Sequence, residues 1–203
     1  MSRAVKLRAF AAAAVFVSSA LALPARAVNT LDQLREQFNH DQGALRLIVL
    51  VSPTCPACTG GAQWIEDEIL KHYPDLNLRV YAVWYEMYPG DSPKAFPAAK
   101  KIMPDARVAH YWDKKKVTGR WFQSNVLSRY KKPIMWDAYY LYGPGVQWSG
   151  TLPPPIVWGR TILETRKDLL KQIAVFKEKG NGQLADSDSG ASPAKVTTLS
   201  PLK

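Results

Sequence analysis

Residues 47–51 of the chain read Leu-Ile-Val-Leu-Val, an apolar run with no polar alternation, and they lead directly into Ser-Pro-Thr-Cys-Pro-Ala-Cys. A strand with one wet face alternates polar and apolar residues, so an unbroken run predicts a strand covered on both sides, as at the centre of a helix-layered sheet. Residues 44–51 are therefore expected to form an interior strand. Pro56 suits the first position of a helix, where its missing N–H costs nothing. Ala62, Ile65, Ile69 and Tyr73 then line one face until Pro74 ends it. Residues 77–85, "NLRVYAVWY", are β-branched and aromatic and complete a strand–helix–strand unit, with the only two cysteines of the chain at its first junction.

Around this unit the pattern is looser. Thr30 is expected to cap a short helix in which Leu31, Leu34 and Phe38 share a face. Pro97 limits the segment "SPKAFPAAKKIMPD" to a short helix from about Pro97 to Met103. "RVAHYW" reads as a strand and "DKKKVTGR" as a charged turn. "DAYYLY", the turn "GPG" and "VQWSGTLPPPIVWG" suggest an antiparallel pair, whose prolines suit a sheet edge. Thr161 and Glu164 make a capping box for a last helix carrying Leu169, Ile173 and Phe176 on one face, with Gly180 as its stop. Beyond Gly180, small and polar residues supply no apolar face, so residues 181–203 are expected to be a disordered tail.

The first 27 residues read as an address. Arg3, Lys6 and Arg8 precede "AFAAAAVFVSSALAL", and Ala25 and Ala27 flank a cut after Ala27. This is the layout of a secretory signal, with an apolar run shorter than the ~20 residues that span a bilayer. Three parts follow: a signal peptide at 1–27, a domain at 28–180 and the tail at 181–203. With 27 basic and 17 acidic residues in the chain, loss of Arg3, Lys6, Arg8 and Arg26 leaves an excess of about +6 on a dispersed surface. Nothing resembles a nucleic-acid motif, so no nucleic-acid partner is expected, and no membrane span remains after cleavage. Hydrophobic residues make up 47%, enough to build a core that needs no staple.

Cys55 and Cys58 admit three readings. An inert disulfide fits an oxidising compartment, but closing so short a loop stabilises by only about 2 kcal/mol, against roughly 3 for fifteen residues. A metal clip would need further ligands from His40, His72, His110 or methionines, and none of these histidines lies at ligand spacing from the pair. A reactive pair fits the setting best. At a strand-to-helix junction Cys55 meets unpaired N–H groups and the positive end of the helix, where a thiolate is favoured over a thiol. Cys58, one turn further in and less exposed, is placed to resolve a mixed disulfide formed by Cys55. Gly60 and Gly61 cost up to about 2 kcal/mol relative to alanine in a helix, which makes sense if backbone or partner must come close beside the thiols. Trp84, Trp112, Trp136, Trp148 and Trp158 lie on or beside expected strands and are read as core, with an aromatic groove beside the cysteines as the alternative.

"LIVLVSPTCPACTGGAQWI" is similar to the active-site segment of the thioredoxin superfamily: buried strand, Cys-Pro-Ala-Cys, then helix, with a later βαββα order that the rest of the chain can supply. The resemblance covers residues 40–180 and is specific at the cysteine motif and loose elsewhere. "HYWD" and "WDAYYLYG" also resemble segments of exported thioredoxin-like bacterial proteins. The resemblance implies an α/β thioredoxin-like fold with a central mixed sheet flanked by helices. It implies exchange with protein thiols or disulfides and a redox partner protein, in the periplasm or outside the cell, with no bound cofactor. Two positions depart from the family. The buried acid six residues before the first cysteine is Val49 here. Where the family has a cis-proline facing the disulfide, this chain has Asp137; the nearest proline, Pro133, would need a four-residue shift. Pro56 and Asp137 are therefore candidate modulators of the pair. Asp137 would raise the Cys55 pKa by repulsion, serve as the missing proton acceptor, or be a strand-edge turn residue. The expected function is an exported thiol–disulfide oxidoreductase with Cys55 as nucleophile and Cys58 as resolving thiol. A Cu(I)-type metal-handling protein or a non-catalytic interaction module on the same fold is the alternative. The direction of electron flow depends on a reduction potential that the Pro-Ala dipeptide does not set.

Overall fold

The computed structural model describes residues 29–126 and 132–185. The expected signal segment and residues 186–203 of the expected tail lie outside them. The described chain forms α1 (Thr30–His40), β1 (Leu45–Val51), α2 (Pro56–Ile65), β2 (Leu78–Trp84), α3 (Phe96–Lys100), β3 (Val108–Trp112), α4 (Val117–Asn125), β4 (Ala138–Tyr142), β5 (Val157–Arg160) and α5 (Ile162–Ala185). The strands make one sheet in the order β3-β2-β1-β4-β5. β1, β2 and β3 are parallel, while β4 runs antiparallel to both β1 and β5. This is the mixed sheet flanked by helices that the sequence led us to expect.

β1 is central, and each of its seven residues is buried. Leu47, Val49 and Val51 pack with α2 and with Leu169 and Ile173 of α5. Ile48 and Leu50 face Leu34 and Phe38 of α1 and Phe122 of α4. One residue of β1 is charged: Arg46 is completely buried, its guanidinium 4.1 Å from the centre of the Phe38 ring. It donates to the carbonyls of Phe38 (3.0 Å), Val146 (2.8 Å) and Gly143 (2.5 Å), so a planar donor fork ties α1 and the loop after β4 to the central strand.

Several boundaries differ from the sequence reading. The cap of α1 is Asn29, whose side chain accepts the Asp32 N–H, and Thr30 is already helical. α2 continues past Ile65 as a π-helical segment, Glu66–Leu70, and Arg107 collects the carbonyls at its end, Leu70 at 2.5 Å and Tyr73 at 2.7 Å. α3 is shorter than expected and starts one residue earlier, at Phe96. α4 occupies what reads as a charged turn: the side chain of Asp113 accepts the Thr118 N–H at 2.7 Å, and left-handed Lys116 (φ 55°) redirects the chain into the helix. The β4–β5 pair forms as expected, with β5 at the sheet edge. α5 does not stop at Gly180 but runs to Ala185; one interior glycine costs only about 1 kcal/mol, which a long helix anchored through Leu169 and Ile173 withstands.

α5 also explains the two glycines of α2. A Cβ on Gly61 would lie 2.8 Å from the Cβ of Ile162, and one on Gly60 would lie 3.3 Å from Leu163 Cδ1. The first residues of α5 therefore press directly on the first turns of α2. Gly61→Ala gains about 1 kcal/mol of helix propensity but forces two helix backbones apart, so a net loss of about 1–2 kcal/mol is expected. Gly60→Ala, which meets only the end of a flexible side chain, should be close to neutral. Chemical denaturation of both variants checks the difference. In the same assay Arg46→Met should cost about 2–4 kcal/mol, because three buried carbonyls lose their donor. Arg46→Lys should recover little, since an ammonium cannot span all three.

Candidate functional site

The thiols lie where β1 leaves the sheet. Cys55 is the N-cap of α2 with extended backbone, and its Sγ accepts the Cys58 N–H at 3.2 Å. Its carbonyl accepts the Thr59 N–H (2.9 Å) and the Thr59 hydroxyl (3.1 Å). Pro56 opens the helix, as the sequence indicates. The sulfur of Cys55 thus occupies the place usually taken by a serine or aspartate oxygen, facing an unpaired amide at the positive end of the helix. Both cysteines are free thiols and both are buried, Cys55 at 3% exposure and Cys58 at 0%. The expected order of exposure holds, but the difference is slight. Burial pushes the Cys58 thiol well up, and its hydrogen bond with Cys55 and the charge of Asp137 push it further. Cys58 is thereby kept protonated.

The loop before Cys55 is held by a residue that the sequence did not single out. Asp91 accepts hydrogen bonds from Ser52 Oγ (2.6 Å), Thr54 N (2.9 Å), Thr54 Oγ1 (2.7 Å), Met87 N (2.7 Å) and Tyr88 N (2.8 Å). Burial would raise its pKa, but these donors outweigh it and hold the carboxyl below the usual carboxylate range. One carboxylate therefore ties Ser52 and Thr54 of the approach to Cys55 to the loop after β2. Its local signature, "YPGDSP", reads as an ordinary turn, and its partners in the thiol loop lie 37 and 39 residues away.

Asp137 stands immediately before β4. The register pairs Leu50 with Ala138, which brings Asp137 level with the end of β1, beside the thiol loop. Its backbone is left-handed (φ 50°), a conformation that aspartate and asparagine tolerate better than most residues. Its Oδ1 accepts the Ile162 N–H at 3.3 Å, and it also bonds the Thr161 side chain. Thr161 holds the position expected of it, but the first amide of α5 is satisfied by Asp137. Burial raises the Asp137 carboxyl, against the hydrogen bonds from Ile162 and Thr161 and the charge of Arg160. Its negative charge helps hold the proton on Cys58. Val49 is buried on the α2 side of the sheet, so the position expected to lack an acid is indeed apolar.

Trp84 and Trp148 are buried, Trp112 and Trp136 are partly buried, and Trp158 is 40% exposed at the edge strand. Trp136 meets Tyr88 edge-on at 5.5 Å, and Tyr88 is 45% exposed. The Tyr88 and Thr54 amides both donate to the Asp91 carboxylate, which brings this aromatic pair to the loop before Cys55; lost solvation and then the charges of Cys55 and Cys58 push the Tyr88 hydroxyl pKa up. The histidines are elsewhere. His40 pairs with Asp41, His72 lies tilted beside Tyr73, and His110 bonds the Trp84 indole and lies 3.1 Å from the Met103 carbonyl. Among the described residues no three of His, Cys, Asp or Glu gather in a way that could hold a metal ion.

No family model matches the chain, and neither does any curated protein. Solved structures do. A thioredoxin-like protein in its oxidised form matches with TM-score 0.44 at 17% identity, over 66% of this chain and 79% of that one. A secreted disulfide oxidoreductase of Mycobacterium tuberculosis, homologous to E. coli DsbE, matches with 0.41 at 13%, over 67% and 84%. The thioredoxin domain of a thiol-disulfide oxidoreductase from Bacteroides vulgatus matches with 0.39 at 14%, over 65% and 83%. The fold itself is carried by the chain's own topology: β1, α2 and β2 make a parallel unit, β4, β5 and α5 make the antiparallel return, and α3, β3 and α4 lie between them. With its Cys-Pro-Ala-Cys pair at the junction of the central strand and the first helix of that unit, the chain has a thioredoxin-like α/β fold.

Proposed function

We propose that this protein is an exported thiol–disulfide oxidoreductase acting on a protein partner, with Cys55 as nucleophile and Cys58 as resolving thiol. The observation that carries the reading is the seating of Cys55 as the cap of α2, its sulfur on the Cys58 amide. An inert cysteine pair has no use for a sulfur aimed at a helix N-terminus. With the pair reduced, the Cys55 thiolate attacks a disulfide of the partner, forming a mixed disulfide and releasing one partner thiolate. Cys58 then attacks Cys55 Sγ, closes the intramolecular disulfide and releases the second, so two electrons pass to the partner. With the pair oxidised the same steps run backwards.

Pro56 starts the helix without presenting an N–H, leaving the Cys58 amide to the sulfur, and the Asp91 clamp holds the loop so that the sulfur stays there. Tyr88 and Trp136 offer a partner an aromatic rim beside the thiols. Export rests on the secretory layout of residues 1–27, and the domain at 28–180 with its tail would act in the periplasm or outside the cell. No helix among the described residues is long and apolar enough to cross a membrane. Neither a cofactor nor nucleic acid enters the scheme.

Cys58→Ser is expected to accumulate mixed disulfides with exported proteins, seen as reducible high-mass species on non-reducing gels, and Cys55→Ser to give none. Equal yields from both variants, or none from either, would remove the redox reading. Asp91 adds a dependence on pH. Because its folded-state pKa is lowered, its contribution is present above the ordinary carboxylate range and lost as pH falls through the lowered value. Asp91→Asn should therefore cost about 2–3 kcal/mol at pH 7, and its deficit against the parent protein should shrink as pH falls through the lowered value, measured by urea denaturation across the acid range.

A further inference from the structure

Cys58 poses a problem of proton transfer. It is completely buried, and it can attack the mixed disulfide only after losing its proton. Bulk water does not reach it, and Val49 beneath α2 has nothing to accept with. Resting on the redox reading of the pair, we propose that Asp137 accepts the proton of Cys58 as it attacks, so that the buried acid of this site comes from the turn before β4.

Four observations converge on Asp137. First, its carboxyl is on the thiol side of the sheet, because its Oδ1 takes the first amide of α5, at Ile162. Second, Ile162 is pressed against Gly61, with 2.8 Å between its Cβ and any Cβ added there, and Gly61 is one helical turn beyond Cys58. A chain of contacts thus runs from the turn of α2 that carries Cys58, through Gly61 and Ile162, to the Asp137 carboxyl. Third, Asp137 is itself only 6% exposed, and its charge is one of those that hold the proton on Cys58. Burial raises its carboxyl against Ile162, Thr161 and Arg160, with Glu164 adding to the rise, which makes it a better base than an exposed carboxylate. Fourth, the other groups near the pair are committed elsewhere. Asp91 is surrounded by its donors and held low, while the Tyr85 hydroxyl donates to the Met135 carbonyl and is itself pushed up. Tyr88 is likewise pushed up.

The step balances as follows. The S–H bond of Cys58 breaks and an O–H bond forms on Asp137. The freed sulfur pair attacks Cys55 Sγ, making the Cys55–Cys58 bond as the bond from Cys55 to the partner breaks. The partner leaves as a thiolate, and Asp137 then returns its proton to that thiolate or to water.

A charge-only role has the opposite sign and is separable. If Asp137 merely repelled a thiolate, its neutralisation would ionise Cys58 more readily and speed the resolving step. The reduced full-length protein is mixed with dithiobis(nitrobenzoate) and thionitrobenzoate release is followed by stopped flow, the first release reporting Cys55 and the second Cys58. Asp137→Asn, which tolerates φ 50°, should leave the first release within about threefold and slow the second about tenfold or more at pH 7. The two proteins should converge in strong alkali, where hydroxide takes the proton. Asp137→Gly, equally compatible with the backbone, should show the same loss and recover in proportion to added acetate. A second release that is unchanged or faster in Asp137→Asn overturns the proposal, as does a slowing that acetate does not restore. A parent protein that shows no second release would instead overturn the redox reading beneath it.

Discussion

The complete burial of β1 is the constraint from which the rest of the molecule follows. A strand with no wet face needs neighbours on both edges and layers on both faces, so β2 and β4 flank it while α2 and α5 cover one side and α1 and α4 the other. It must also dispose of the one charge that it carries. Arg46 does so through the carbonyls of Phe38, Gly143 and Val146, and in doing so it fixes α1 and the loop after β4 to the sheet centre. The chain can then leave β1 only at its carboxyl end, and that is where the thiols are.

Three long-range contacts turn this exit into a defined site. Asp91 ties Ser52 and Thr54 to the loop after β2. Ile162 sits against Gly61, so the start of α5 is stacked on the start of α2. Asp137 joins the two by bonding the Ile162 amide while adding its charge to the surroundings of Cys58. Each contact comes from a different part of the chain, and the first two meet the segment around the cysteines within a turn of a thiol. The surroundings of the two sulfurs differ accordingly: Cys55 accepts an amide N–H at a helix end, whereas Cys58 is completely buried and its proton is held by lost solvation and by the charge of Asp137.

Much of this was legible in the chain. The unbroken apolar run read correctly as an interior strand, Pro56 as the start of a helix, and the aromatic runs as β2, β3 and β4, because burial and backbone restriction act locally and leave local patterns. α4 was not legible. Its sequence, "VTGRWFQSN", follows three lysines and contains a glycine, and the helix forms because Asp113 caps it and Phe122 is buried against Tyr140 and Trp148. The π-helical turn at Glu66–Leu70 and the passage of α5 through Gly180 were missed for the same reason: a neighbour's packing outweighs a cost of about 1 kcal/mol in local propensity.

By itself the sequence determined the layered α/β class and the position of the cysteines at a strand-to-helix junction, since both are written in periodicity and spacing. Only the tertiary structure identified the Ile162 side chain as what Gly61 admits, gave the thiol loop to Asp91, and set Asp137 on the first amide of α5. Those relations depend on register and helix docking between residues far apart in the chain, and a carboxylate's partners across such a distance leave no trace in the residues beside it.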